Sequence, residues 1–417
     1  MRILVQKFGG TSLSTPEARA HVIEHIRDAL AADYRLVVVV SAMGRKGDPY
    51  ATDTLLGLIE QVEGRLPARE KDMLLCCGEV ISAAVLCSML HARSISAVVL
   101  SGAQAGIVTN ERFGNAHIQS IRPERIFKLL KDNRVVIVTG FQGINEFGDW
   151  TTLGRGGSDT SATALGAALR AEYVDIYTDV EGVLTADPRI VEDAKPLASV
   201  GYAEICNMAY QGAKVIHPRA VEVAMQANIP IRVRSTFSRH PGTLVSHSDA
   251  IGGGFVSDRH VTGIAHAPHV TQIRVNSREA AGFGSETRPI NHGNTFDLQL
   301  KVFKSMALND ISVDFINVNP SEIIYTVFDN DADRAVSILR DMGLELEYLN
   351  NCAKVSVIGG GMNGVPGIMA QIVEALTEND VQILQSADSN ASIWVLVKYE
   401  DMVKSVRALH RAFQLNK

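Results

Sequence analysis

Short apolar runs separated by helical patterns fill the first 235 residues, and this alternation constrains the fold more than any other feature. Candidate strands lie at 3–6, 36–41, 97–100, 135–139, 173–178 and 230–234. Amphipathic helical patterns lie between several of them, at 16–32, 122–131 and 158–171. Strand, helix and strand repeated in this way imply a mostly parallel sheet covered by helices on both faces. Ligands of such sheets bind in loops at the carboxyl ends of the strands, so the chemistry is sought there.

The pattern breaks at 247–258, HSDAIGGGFVSD, a Gly-, Ser- and Asp-rich stretch that reads as a linker. Beyond it the chain repeats itself. NDISVDFINVNPSEIIYTV from Asn309 aligns without gaps on NDVQILQSADSNASIWVLV from Asn379. Ile323 then matches Ile393, Val327 matches Val397, Val336 matches Val406 and Leu339 matches Leu409. Each copy reads helix, strand, strand, helix. A strand before each first helix completes βαββαβ, a ferredoxin-like module. The expected division is 1–246 for the α/β domain, 247–261 for the linker, and 262–349 and 350–417 for two tandem α+β modules.

Composition narrows the function classes. The 417 residues carry 40 Lys and Arg against 46 Asp and Glu, a net charge of −6. That balance argues against nucleic acid as a partner. No run of about 18 uncharged apolar residues is present, so no membrane partner is expected, and the N-terminus lacks the order of a signal peptide. The five cysteines, Cys76, Cys77, Cys87, Cys206 and Cys352, are odd in number and not in metal spacing. They read as buried thiols of a reducing, cytoplasmic environment.

Two glycine-rich basic loops stand out. KFGGTS, at 7–12, follows the first strand. Lys7 is a point charge, Gly9 and Gly10 allow close backbone approach and an anion-binding nest, and a helix N-terminus follows. TTLGRGGSDTSA, at 151–162, opens a later helix. There Gly156 and Gly157 admit an anion, Ser158 caps the helix, Asp159 sits in its first turn, and Arg155 offers a fork suited to a carboxylate. Either loop alone is compatible with a plain capped turn; both in one α/β domain favour phosphoryl chemistry. Further polar groups sit in or near strand ends: Ser41, the loop 178–189, Lys214, and Glu79 within an apolar stretch where a carboxylate is costly unless paired or solvated.

Three motifs read as decoys. HVIEH, at 21–25, has zinc-protease spacing but no supporting third ligand, and reads as surface histidines. GGGMNG, at 359–364, fits a dinucleotide fingerprint but lies inside the repeat, with too little chain after it; it reads as an anion- or amino-acid-binding turn. SAMGRKGDP, at 41–49, reads as a mobile substrate lid.

Taken together, KFGGTS (7–12), VVVVSAMG (37–44), GE (78–79), TTLGRGGSDTSA (151–162), YTDVEGVLTADPR (177–189) and YQGAKVIHPRAVE (210–222) occur in the order found in aspartate kinases. The chain resembles that family over nearly its full length: an amino acid kinase-like, mostly parallel sheet sandwiched by helices, followed by two ferredoxin-like ACT modules. PYATDTLLGL and AEICNMAYQGAKVI are similar to the diaminopimelate-sensitive branch.

The resemblance implies transfer of the γ-phosphoryl group of ATP, with Mg²⁺, to the side-chain carboxylate of L-aspartate. It implies Lys7, Asp159 and Lys214 as catalytic residues, with Asp159 holding the lysines. A nucleotide site is implied at Lys7, Phe8, Gly9, Gly10, Ser41, Thr178, Asp179, Leu184, Thr185, Ala186, Asp187, Pro188, Arg189, Lys214 and Val215. Aspartate is implied to meet Thr52, Glu79, Arg155, Gly156, Gly157 and Ser158, with Arg155 on its α-carboxylate and Glu79 on its ammonium. No direct metal ligand is assigned; Asp179 is the residue reached through water. The nucleophile is a carboxylate, ionised above a pH of about 4, so no general base is needed.

One departure concerns the regulatory half. Members often carry Pro-Gly before the first helix of an ACT module. The second module has it at Pro366-Gly367, while the first does not. A pathway amino acid (diaminopimelate, lysine or threonine) is therefore expected at Met362, Asn363, Val365, Gly367, Ile368 and Gln385, in a homodimer joined through the ACT modules. The alternatives are another kinase of this fold, acting on glutamate or acetylglutamate, and a non-catalytic amino acid sensor.

Overall fold

The computed structural model describes the chain except residues 63–65, 214, 248–259, 277–291, 320–321 and 363, and of 292–297 it describes the backbone alone. The described residues fall into two compact units, Met1–Thr185 with Ala194–Thr262, and Ala186–Asp193 with Gly263–Lys417.

The first unit opens with β1 (Ile3–Phe8), the single turn α1 (Gly10–Leu13), α2 (Pro16–Ala31) and β2 (Arg35–Val40). α3 (Thr52–Glu60), α4 (Ala68–His91), β3 (Ala97–Leu100), β4 (Ile107–Thr109), β5 (Ile118–Ile121) and α5 (Glu124–Lys131) follow. Next come β6 (Val135–Thr139), β7 (Gln142–Ile144), β8 (Trp150–Thr152), α6 (Gly157–Leu169) and β9 (Tyr173–Thr178). The unit closes with β10 (Ser199–Gly201), α7 (Tyr202–Tyr210), α8 (Pro218–Ala227), β11 (Ile231–Ser235) and β12 (Thr243–Ser246).

Eight strands form one sheet in the order β10-β12-β11-β9-β1-β2-β6-β3, and β4, β5, β7 and β8 form a smaller one. All six strands expected from the apolar runs lie in the large sheet, and they pair in parallel from β11 to β3. Val37, Val38, Val39 and Val40 are fully buried, as a parallel strand covered on both faces requires. The small sheet is not legible in the sequence because its strands, IVT, IQSI, QGI and WTT, are too short and too polar to make an apolar run. Helix α2 begins as its sequence dictates. Thr15 accepts from the Ala18 amide at 3.1 Å, and Pro16, at the first helical position, has no N–H to satisfy.

Helix α4 is long and apolar enough to cross a membrane by length and composition alone. Here it is a core helix: Cys76, Ala83, Leu86 and Leu90 are fully buried, and Glu79 interrupts the apolar run. Buried Asp72 on the same helix accepts from the amides of Gly114 at 2.9 Å and Thr152 at 2.7 Å, so a carboxylate in the core is satisfied by backbone donors. Two expectations need correction. Cys77 is exposed and Cys87 and Cys206 are half-buried, so only Cys76 and Cys352 are the buried thiols expected. His25 is buried, not a surface histidine; its Nε2 lies 3.0 Å from the Thr236 carbonyl oxygen and its ring 4.5 Å from that of Tyr177. Helix α2 turns that face inward toward the sheet.

The second unit holds β13 (Gly263–Asn276), α9 (His292–Leu308), β14 (Asp314–Val318), β15 (Glu322–Phe328), α10 (Asp329–Asp341) and β16 (Leu346–Ile358). These are followed by α11 (Ile368–Thr377), β17 (Gln385–Ser389), β18 (Ser392–Lys398) and α12 (Met402–Ala412). One sheet, β14-β15-β13-β16-β18-β17, joins both copies of the repeat. Its two central strands run antiparallel, Gly263 to Ala267 opposite Ile358 to Lys354 and Gln272 to Val275 opposite Leu349 to Leu346. The start of β13 therefore supplies the outer strand of the second copy, and the start of β16 that of the first. The copies are interleaved rather than strung one after the other. A period in the sequence identifies two similar units, but not which unit covers the open edge of the other.

Candidate active site

The parallel register brings the carboxyl ends of β1, β2 and β9 side by side, with Phe8 opposite both Val40 and Tyr177. Lys7, one residue before the end of β1, reaches the first turn of α6. Its Nζ lies 2.6 Å from Asp159 Oδ1, with the two side chains 12% and 13% exposed. Such shielding strengthens the attraction over that of a surface pair. Phe8 points away, stacked on Tyr177 with ring centroids 4.6 Å apart and fully buried. Any nucleotide contact at Phe8 is thus left to its backbone.

Gly10 is required by close packing. A Cβ there would lie 2.5 Å from the Gly44 carbonyl oxygen, whose own residue donates its amide to Gly10 O at 2.9 Å. Ser41 donates its amide to Phe8 O at 3.1 Å. The first loop and the loop after β2 are thereby laced together.

That second loop carries a residue to which the motifs assign no role. Arg45 pairs with Asp179 at 2.5 Å and donates to Thr11 Oγ1 at 3.2 Å. It links the loops after β1 and β9 from a segment whose sequence reads only as a lid. Asp179 also accepts from Thr178 Oγ1 at 3.0 Å. The signal available was a lone arginine among glycines, and its partner was visible only in three dimensions.

On α4, Glu79 is buried. Its Oε1 accepts from the Ala42 amide at 3.0 Å, and its Oε2 has no hydrogen-bond partner among the described residues. Burial pushes its carboxyl up to about 8, against the opposing pull of that amide. Thr52 is the half-buried first residue of α3.

The loop 153–159 departs from expectation at one point: Ser158 does not cap α6. Gly156 is the N-cap, in the left-handed region at φ +66°, and the helix starts at Gly157. A Cβ on Gly156 would lie 2.1 Å from His217 Cγ, so the ring of His217 forms the floor of this loop. His217 Nδ1 is buried without a hydrogen-bond partner among the described residues, and burial lowers the ring's basicity. Arg219 fastens the same loop, donating to the carbonyls of Leu153 and Ala116, each at 2.8 Å. Ser158 is buried, while Arg155 stands exposed. The motif containing IHPR at 216–219 marks the region, yet nothing in it singles out the histidine or the arginine.

Leu184 bridges to Pro196, and buried Thr185 exchanges hydrogen bonds with the Lys195 backbone at 2.9 and 3.0 Å. Ala186, Asp187, Pro188 and Arg189 belong to the second unit. There Arg189 donates Nη2 to Asp187 at 2.6 Å, holding that carboxyl below the usual range. Val215 is half-buried before α8. Lys214 and Asn363 lie outside the described residues. Near the regulatory turn, Met362 and Ile368 are buried and Gly367 caps α11 at φ +97°. Val365 donates to Met362 O at 3.2 Å. Gln385 is buried with both ends of its amide in use: it accepts from Gln272 and donates to Phe315 O, each at 2.7 Å. Among the described residues, no cluster of three His, Cys, Asp or Glu could hold a metal ion.

A glycine-rich strand-end loop, a shielded lysine–aspartate pair and a second glycine loop opening a helix thus meet at the carboxyl ends of an α/β sheet, an arrangement suited to an anion. The pattern of the amino acid kinase family matches residues 2–235, and that of the ACT domain residues 347–411. The chain belongs to the amino acid kinase family. It is 55% identical over 418 residues to aspartokinase 1 of Bacillus subtilis strain 168, covering all of both chains. It is 38% identical to the aspartokinase of Geobacillus stearothermophilus, covering all of this chain and 98% of that one. Among solved structures it matches E. coli aspartokinase III in complex with aspartate and ADP, with TM-score 0.77, 25% identity and 99% of each chain covered. The same enzyme with lysine and aspartate matches at TM-score 0.75 and 25% identity over 99% of each chain. Within its family the chain falls among the aspartokinases, ATP-dependent kinases with a C-terminal ACT region.

Proposed function

We propose that the chain forms 4-phospho-L-aspartate at the Lys7–Asp159 pair, from ATP and the side-chain carboxylate of L-aspartate. The observation that carries this reading is the 2.6 Å contact between Lys7 and Asp159 at the glycine-rich end of β1. Two anions must approach one another, and the work is positioning and charge neutralisation. Lys7 supplies a fixed cation for the transferring group, and Lys214 a second. Asp159 keeps Lys7 on station. Exposed Arg155 takes the substrate α-carboxylate, and the unpartnered Oε2 of Glu79 takes the ammonium. Gly156, Gly157, Ser158 and Thr52 complete the aspartate pocket.

ATP lies over Gly9 and Gly10, with Ser41 and the strand-end residues Thr178 and Asp179 beside it. Asp179 is 44% exposed at the end of β9, a position suited to a hydrated Mg²⁺, which commonly takes one or two carboxylates, substrate phosphates and several waters. The ion, when bound, offsets phosphate charge. The ACT region takes a pathway amino acid at the turn around Met362–Ile368, in a homodimer, and the enzyme works in the cytoplasm. Contact of an effector with Gln385 requires exchange of its bonds to Gln272 and Phe315.

The test is ADP release with aspartate as acceptor, with hydroxylamine trapping of the acyl phosphate. Glutamate and acetylglutamate serve as rival acceptors. Trapped product with aspartate alone supports the reading; faster turnover with either rival overturns it. No ADP release with any acceptor favours the sensor.

A further inference from the structure

A short piece of the connection between β9 and β10, Ala186–Asp193, belongs to the second compact unit. It is seated on the C-terminal helical segment. Arg407 donates Nε to the Ile190 carbonyl at 2.8 Å, and Asn416 donates to Asp193 at 2.8 Å. Ile190 and Val191 are buried, and the amides of both turn back onto Asp187 O at 2.9 Å. The segment is thus ordered by specific bonds on a helix far along the chain.

Segment and helix line a cavity of about 370 Å³. Glu192 and Asp193 come from the segment, and Arg407, His410 and Arg411 from α12. The volume lies within the range of small-molecule pockets, about 300–1,000 Å³. Its charges decide the ligand class. Two guanidinium groups and two carboxylates balance, with His410 buried among them. A polyanion would be repelled by the acids, and a polycation by the arginines. A small zwitterion satisfies both: its carboxylate suits the planar guanidinium fork and its ammonium the acids. Val191 adds an apolar wall.

We propose that this cavity binds a small zwitterionic metabolite of the amino-acid class, and that occupation ties 186–193 to α12. The site is separate from the turn at 362–368. The segment lies within the connection between β9 and β10, so occupation of the cavity is coupled through the chain to the rest of that connection. Such coupling acts equally in both directions.

Hydrogen–deuterium exchange of the full chain, read by mass spectrometry, tests this with millimolar L-lysine, L-threonine, L-methionine and meso-diaminopimelate in turn. At least one slows exchange across both 187–193 and 402–412. Glu192→Gln and Arg411→Gln, both at exposed positions, each weaken that protection about tenfold or more while basal turnover stays unchanged. Gly367→Asp leaves the protection in place. The proposal fails if none of the four amino acids protects these segments, or if protection is confined to 359–368. It fails equally if Gly367→Asp removes the protection or if both glutamine variants keep it undiminished.

Discussion

Lys7 Nζ and Asp159 Oδ1 meet at 2.6 Å, joining the end of β1 to the first turn of α6. Asp159→Asn preserves the shape and removes the charge that holds the lysine. Turnover should fall about 10²- to 10³-fold, with the circular dichroism spectrum unchanged. Lys7→Ala should cost more, because it removes the cation itself. Full turnover in either variant would end the assignment.

Glu79 makes aspartate binding pH-dependent. With its carboxyl near 8 in the free protein, kcat/KM for aspartate should climb as pH rises toward that value, since ionised Glu79 is the form that takes an ammonium. Stability runs the other way. The folded state holds this proton more tightly than the unfolded one, so the contribution is complete below the unfolded value and lost as pH rises through about 8. Glu79→Gln should flatten both profiles, as read by initial rates and urea midpoints between pH 5 and pH 9.

Gly156→Ala should destabilise the protein by about 1–3 kcal/mol, because a side chain in the left-handed region collides with His217. KM for aspartate should rise at the same time. His217→Ala in the same chain removes the collision and should recover part of the stability; an additive loss in chemical denaturation would show that the ring is not the obstacle.

Arg45→Ala separates stability from nucleotide binding. The pair with Asp179 is 70% and 44% exposed, and such a pair contributes no more than about 1 kcal/mol to folding. Melting should stay nearly constant. KM for ATP should rise about fivefold, the equivalent of about 1 kcal/mol, and the difference from the parent should shrink at high salt. An unchanged KM would make Arg45 a surface residue only.

Much of this was legible in the residues. Apolar runs located the six strands that pair in parallel from β11 to β3, because a strand covered on both faces is mostly apolar wherever it lies. KFGGTS and TTLGRGGSDTSA marked the two loops that the fold joins through Lys7 and Asp159, because paired glycines beside a charged residue stand out from the apolar runs around them. The repeat exposed two similar modules through matched core positions.

The order of residues settled the local character of each segment: which face is buried, where a loop must bend, which loops carry charge. Partners emerged only from the packed fold. It set Arg45 on Asp179, placed His217 beneath Gly156, interleaved β13 with β16, and moved Ala186–Asp193 into the second unit. Periodicity records whether a face is covered and says nothing of what covers it. That choice is made by register and close packing between residues far apart in the chain.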